Sequence, residues 1–140
     1  MSEPAIREHA LLQTAVLLRR LAFQVNRAAK NHEPDTVHDL RVAMRRFSRA
    51  LRLFSQFYPA GSWKKIRRQL ARALDVAASV RERDVALAIL AEAAIPSDSV
   101  MVTRLKTERR RASHDLLVEL RRWRARGFSR KWRNELALRA

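Results

Sequence analysis

The sequence predicts an all-α protein: an antiparallel four-helix-type bundle with short extra helices, in a single domain over residues 1–140. Three observations predict it. Apolar residues recur at alternating spacings of three and four, the stripe that a helix buries against its neighbours. Only two Gly and four Pro occur in 140 residues, too few turn formers for a sheet-rich fold. The breaks that do occur, at Asn31 to Pro34, Pro59 to Ser62, Ile95 to Asp98 and Gly127, fall between the periodic segments, and short connections of this kind join antiparallel neighbours. A chain of this length buries roughly two-thirds of its unfolded surface, and an apolar content of 47% suits a core rather than disorder.

The first helix is predicted from about Ala5 to Lys30, with Leu11, Ala15, Leu18, Ala22, Val25 and Ala29 as its seam. The second runs from about Asp35 to Tyr58 through Leu40, Met44, Phe47, Leu51, Phe54 and Tyr58. The third begins at Ser62, a hydroxyl suited to cap a helix start, and carries Trp63, Ile66, Leu70, Ala73, Ala77 and Val80. A short fourth helix is expected from Glu82 to Ala94. The fifth spans about Asp98 to Arg126, with Val102, Leu105, Ala112, Leu116, Leu120 and Trp123 on one side, and a small helix after Gly127 carries Trp132 and Leu136. Arg109 interrupts the fifth seam between Leu105 and Ala112. A buried Arg needs a partner, so it either pairs with an internal Asp or Glu or faces a basic channel or subunit interface.

Charge narrows the function. Thirty Lys and Arg against 14 Asp and Glu give a net +16, which opposes compaction and attracts anions from a distance. Most of the cations are Arg, whose planar fork grips phosphate better than the point charge of Lys. With no Cys, disulfides and thiolate metal sites are excluded. The N-terminus lacks a basic start followed by an apolar run, and no stretch is apolar for long enough to span a bilayer, so a cytoplasmic protein without membrane contact is expected. His9, His32 and His114 lack metal-ligand spacing, and no phosphate-binding loop or nucleophile elbow occurs. No cofactor, metal or catalytic residue is therefore expected.

The second helix holds the most informative pattern. His38, Arg41, Arg45, Arg49 and Arg52 are spaced three, four, four and three apart, which puts them within roughly an 80° arc and about 21 Å of helix length. Arg46 lies at the flank. Solvated helix faces usually mix signs, because like charges at i,i+4 destabilise; here Arg41/Arg45 and Arg45/Arg49 stand uncompensated. From Arg41 to Leu74 there are ten basic residues and no acidic one, with Lys64, Lys65, Arg68 and Arg72 on one face of the third helix. The plain reading is a face that aids solubility; the functional one is a face that a polyanion relieves. His38 is open to three roles, as a polar cap, a buried hydrogen-bonding group or a ligand contact.

The run Val37-His38-Asp39-Leu40-Arg41-Val42-Ala43, with Arg45-Arg46 and then Ala50-Leu51-Arg52-Leu53-Phe54, resembles the signature of the CHAD family, the conserved histidine α-helical domain. Val80-Arg81-Glu82-Arg83-Asp84-Val85-Ala86-Leu87 looks like that family's Arg/Asp element. The resemblance extends across nearly the whole chain and implies a helical bundle that binds inorganic polyphosphate through exposed basic residues, in proteins commonly associated with polyphosphate granules. On this reading His38, Arg41, Arg45, Arg46, Arg49 and Arg52 hold the phosphates, and Arg27, Lys30, Lys64, Lys65, Arg68, Arg104 and Arg111 extend the groove where the faces align. Two departures stand out. Many relatives have Arg where this chain has Ser48, and Arg49 is the expected substitute. The usual family domain is about twice as long, with two similar halves, so a homodimer is expected. Arg81 and Asp84 are read as an i,i+3 structural pair.

Three rivals remain open, one of them a partner-binding helical scaffold that meets an acidic protein. Nonspecific nucleic-acid binding shares the phosphate chemistry, although the second helix offers almost no Asn or Gln to read bases. Between Arg121 and Arg133 cations interleave with Trp123, Phe128 and Trp132, which suits either base stacking or completion of the core, the latter being expected. A phosphoanhydride-processing enzyme or its accessory would need metal-holding carboxylates beside the basic residues, and none lies from Arg41 to Leu74.

Overall fold

The computed structural model describes residues 2–138. Five α-helices and one 3-10 turn make up the described chain: α1 Glu3–Ala28, α2 Pro34–Leu53, the turn Ser55–Phe57, α3 Ser62–Glu92, α4 Val100–Ala125 and α5 Phe128–Glu135. α2, α3 and α4 each pack on the helix before, and α5 crosses one end against α1, α3 and α4. The all-α bundle is as expected.

Local chemistry accounts for the boundaries. Ser2 caps α1 by accepting from the Ala5 amide, and Ser99 caps α4 by accepting from Val102. Pro34 opens α2, where a missing N–H costs nothing. The preceding turn is held by Asn31 Oδ1, which accepts from the Glu33 amide and the Thr36 hydroxyl, each at 2.9 Å. The second helix ends at Leu53 rather than Tyr58, and the 3-10 turn swings Tyr58 inward. Its hydroxyl lies 2.7 Å from Thr14 Oγ1, which donates to the Ala10 carbonyl at 2.8 Å. Burial pushes the Tyr58 pKa up to about 12, with Thr14 acting the other way.

Two expectations are corrected. Ser62 is not a cap: Gly61, with φ +79°, holds that position, and Ser62 Oγ donates back to the Pro59 carbonyl. The third and expected fourth helices are one, the 31-residue α3. Its buried side runs Ile66, Leu70, Ala73, Ala77, Val80 and then Asp84. The apolar stripe stops at Val80 because its next position is a carboxylate, while the helix continues, with no Gly or Pro between Gly61 and Pro96 to end it. Arg109 breaks the α4 seam for the same reason. Its Nε donates to Asp84 Oδ1 at 2.6 Å, with the Asp84 side chain only 6% exposed, so the two interruptions are the halves of one ion pair.

Apart from the hydroxyls of Thr14, Thr36 and Tyr58, the rest of the core is apolar. Leu18, Leu21, Val25, Leu40, Met44, Phe47, Leu51, Leu70 and Leu116 are fully buried. The aromatic residues after α4 complete it. Trp132 stacks on Phe47 at 5.9 Å and meets Trp123 and Phe128 edge-on at 5.0 and 5.2 Å. These rings are buried and so offer no open platform for a base.

Candidate anion-binding surface

The second helix positions its arginines by burying the opposite side. Val37, Leu40, Met44, Phe47 and Leu51 are inaccessible to solvent, which fixes the rotation of the helix and turns His38, Arg45, Arg49 and Arg52 outward as exposed side chains. His38 heads this row in the first turns of α2, exposed, so it is not a buried hydrogen-bonding group.

Arg41 differs from the others. It leans towards α3, is half-buried, and its Nε is enclosed without a hydrogen-bond partner. Burial lowers its pKa, the charges of Arg45 and Arg81 lower it further, and only Glu82 acts in its favour. Three guanidinium groups from two helices thus converge where the protein supplies little negative charge. Arg81 therefore belongs with this face. Its expected pairing with Asp84 does not form, because Asp84 is taken by Arg109, whose Nη2 also donates to the His32 carbonyl.

Further along, Arg67 of α3 donates from Nε to Ser48 Oγ at 3.3 Å. The cation beside Ser48 is thus supplied across the helix interface as well as by Arg49. Arg46 lies on the other flank of α2, in a cleft of about 390 Å3 shared with Arg19 and Arg20 of α1. Sequence reasoning missed Arg19, Arg20 and Arg67 and read Arg81 as structural. A helical projection of α3 about its buried side places Arg67 and Arg81 towards α2, and only knowledge of which helices are neighbours makes that decisive.

The remaining candidates divide. Arg27 is committed to Asp39, with Nη1 to Oδ2 at 2.8 Å and both side chains part-exposed. Lys30 is exposed in the turn after α1. Lys64, Lys65 and Arg68 are exposed on the outer side of α3, with Lys64 Nζ 5.7 Å above the Trp63 ring. Arg72 turns away from α2 towards α4. Arg104 and Arg111 line a cleft on α4 with Asp98 and Glu108, the latter paired with Arg83. Among the described residues the ion-paired cations are Arg27, Arg83 and Arg109. None of the α2 outer-face arginines is paired with a described residue.

The CHAD domain family model matches residues 13–140. The chain belongs to the CHAD domain family. Comparison with curated proteins and with solved structures finds no match. CHAD domains are associated in general with polyphosphate binding, and the match spans the α2 arginines and Arg81 alike. Among the described residues of this CHAD domain, no group of three His, Cys, Asp or Glu side chains is arranged to hold a metal ion, and no helix is long and apolar enough to cross a membrane.

Proposed function

We propose that this CHAD domain is a binding module for inorganic polyphosphate, not an enzyme, and that the chain lies along the outer face of α2 and its border with α3. The observation that carries the reading is the convergence of Arg41, Arg45 and Arg81, with Arg41 half-buried and its Nε unpaired. A phosphate oxygen there accepts charge-assisted hydrogen bonds and relieves like-charge repulsion that otherwise destabilises the helix. Arg49 and Arg52 continue the track, while Arg46 with Arg19 and Arg20 forms a second flank. The mechanism is electrostatic. With about five cations engaged, and the salt response of single-stranded polyanions, raising salt from 50 to 200 mM should weaken binding about 100-fold.

Calorimetry with long-chain polyphosphate tests this, comparing the native chain with Arg41→Gln/Arg45→Gln/Arg49→Gln. Each lost charge-assisted contact is worth about tenfold in affinity, so the variant should bind at least 100-fold more weakly while retaining its helical circular dichroism. Equal binding by both would overturn the assignment to α2. Competition by duplex DNA of equal charge distinguishes a general polyanion surface from a polyphosphate-preferring one.

A homodimer belongs to the same reading. The far end of the α3/α4 hairpin exposes Val85, Ile89, Val100 and Met101, and no Lys or Arg occurs from Val85 to Thr103, so two copies of a +16 chain meet there with least repulsion. Light scattering at micromolar concentration should give twice the chain mass; the mass of one chain would refute dimerisation.

A further inference from the structure

Arg72 does not serve the α2 face. It lies roughly 140° around α3 from Arg67, on the side that meets α4, and it lines a small cleft of about 130 Å3 at the junction of α4 and α5. Arg122 and Arg126 from the end of α4 and Lys131 from α5 line the same cleft. These four cations come from three helices, and none makes an ion pair among the described residues. The one carboxylate in the wall is Glu119, whose Oε1 accepts from Trp123 Nε1 at 3.1 Å. The cleft therefore carries an excess of three positive charges over a wall of buried indole, and a low-dielectric wall strengthens the pull on an anion.

A plainer account is that Arg122 and Arg126 complement the negative end of the α4 dipole. It does not extend to Arg72, midway along α3, or to Lys131, in an early turn of α5. α5 itself begins in the wall at Phe128, with no side-chain cap and no acidic residue in its first turn, so its positive end adds to the charge rather than balancing it. The cleft is too small for a nucleoside, and Trp123 and Trp132 have their faces packed in the core.

We infer that this cleft is a second anion site, separate from the α2 face, which takes one phosphate-sized dianion: the terminal phosphoryl group of a short phosphate chain or free inorganic phosphate. It is independent of the α2 assignment.

The test uses Arg41→Gln/Arg45→Gln/Arg49→Gln as background, so that the α2 face is weakened at least 100-fold. Calorimetric titration of this variant with tripolyphosphate should show a remaining site. Adding Arg122→Gln/Arg126→Gln, both at exposed positions, should weaken that site at least tenfold with helicity unchanged. In a Trp63→Phe version of the background, emission from Trp123 and Trp132 should change saturably with tripolyphosphate but not with sodium chloride at matched ionic strength. Half-saturation at much lower concentration for tripolyphosphate than for inorganic phosphate identifies a chain end as the ligand; equal or lower values for phosphate identify the free ion. Absence of binding to the background variant, or binding indifferent to Arg122→Gln/Arg126→Gln, overturns the site, whatever long-chain polyphosphate does at α2.

Discussion

Removing either half of the Asp84–Arg109 pair should destabilise the protein far more than removing both. Asp84 is 6% exposed at its side chain and Arg109 21%, with Nε to Oδ1 at 2.6 Å and Nη2 to Oδ2 at 3.4 Å. Arg109→Met leaves the carboxylate buried and unpaired, and Asp84→Leu leaves a part-buried guanidinium with only the His32 carbonyl as partner; breaking a buried pair in this way costs about 3–5 kcal/mol. With an unfolding entropy of about 2.1 cal/mol/K per residue, that is a fall in Tm of about 10–17 °C. The double variant Asp84→Leu/Arg109→Met restores the apolar stripe on both helices and loses only the bond to the His32 carbonyl. It should therefore lie within about 2 kcal/mol of the native protein. Thermal melts followed by circular dichroism, with urea midpoints as a second measure, give all four corners of the cycle. Additive single and double costs, or single costs below about 1 kcal/mol, would refute the pairing as the reason these charges interrupt the two seams. Function should follow, because Arg109 also tethers the turn that leads into α2.

Other consequences can be measured separately. His32 is part-buried against Ser113; burial holds its pKa below the usual 6.5, the Ala28 carbonyl pulls the other way and Arg109 adds to the depression. Its contribution is therefore complete above pH 6.5 and lost as pH falls through the lower folded value, so urea midpoints should drop between pH 7.5 and 5.5, and less so in His32→Gln. Tyr58 is the only tyrosine, so absorbance titration reports it alone; a midpoint near 10 in the folded protein would contradict its burial. Its share of stability is complete below pH 10 and disappears as pH rises towards about 12, and Tyr58→Phe should cost about 1 kcal/mol at pH 8. Ala94 ends α3 in the left-handed region at φ 57°, with the Ile95 amide donating to the Leu90 carbonyl and Ala94 to Ala91. Glycine is preferred at that position: it removes the left-handed cost of about 1–2 kcal/mol against a chain-entropy cost of about 0.5–1 kcal/mol, so Ala94→Gly should stabilise the protein by about 0.5–1 kcal/mol, seen as a higher urea midpoint.

The fold was legible where one side of a helix is uniformly apolar, and it was misread where the seam holds a charge. Leu40, Met44, Phe47 and Leu51 specify α2 and hence the outward set of arginines. Asp84 and Arg109 carry the same geometric information, but only as a pair 25 residues apart, and a single-helix pattern cannot join them. The same limit applies to the surface. His38, Arg45, Arg49 and Arg52 share a face by their spacing alone, whereas Arg81 and Arg67 join it through helix contacts that periodicity does not encode. The ring cluster was decided by packing: Trp132 against Phe47 is a contact between α5 and α2, beyond the reach of local spacing.

The placement of acids explains how so cationic a face persists in a stable fold. Asp84 answers the one part-buried arginine of α4, and Asp39 answers Arg27 beside the α2 start. Across Arg41 to Leu74 no acid is supplied. The cost of leaving it out is modest, because each exposed like-charge pair at i,i+4 weakens a helix by only about 0.2–0.5 kcal/mol. Burying Val37, Leu40, Met44, Phe47 and Leu51 on the other side yields about 1.5–3 kcal/mol for each side chain. The apolar side thus exceeds the repulsion several-fold, so α2 tolerates a row of unpaired arginines without help from a ligand. A bound polyanion would then change stability mainly through its own binding equilibrium, and the face is ready before the phosphate chain arrives.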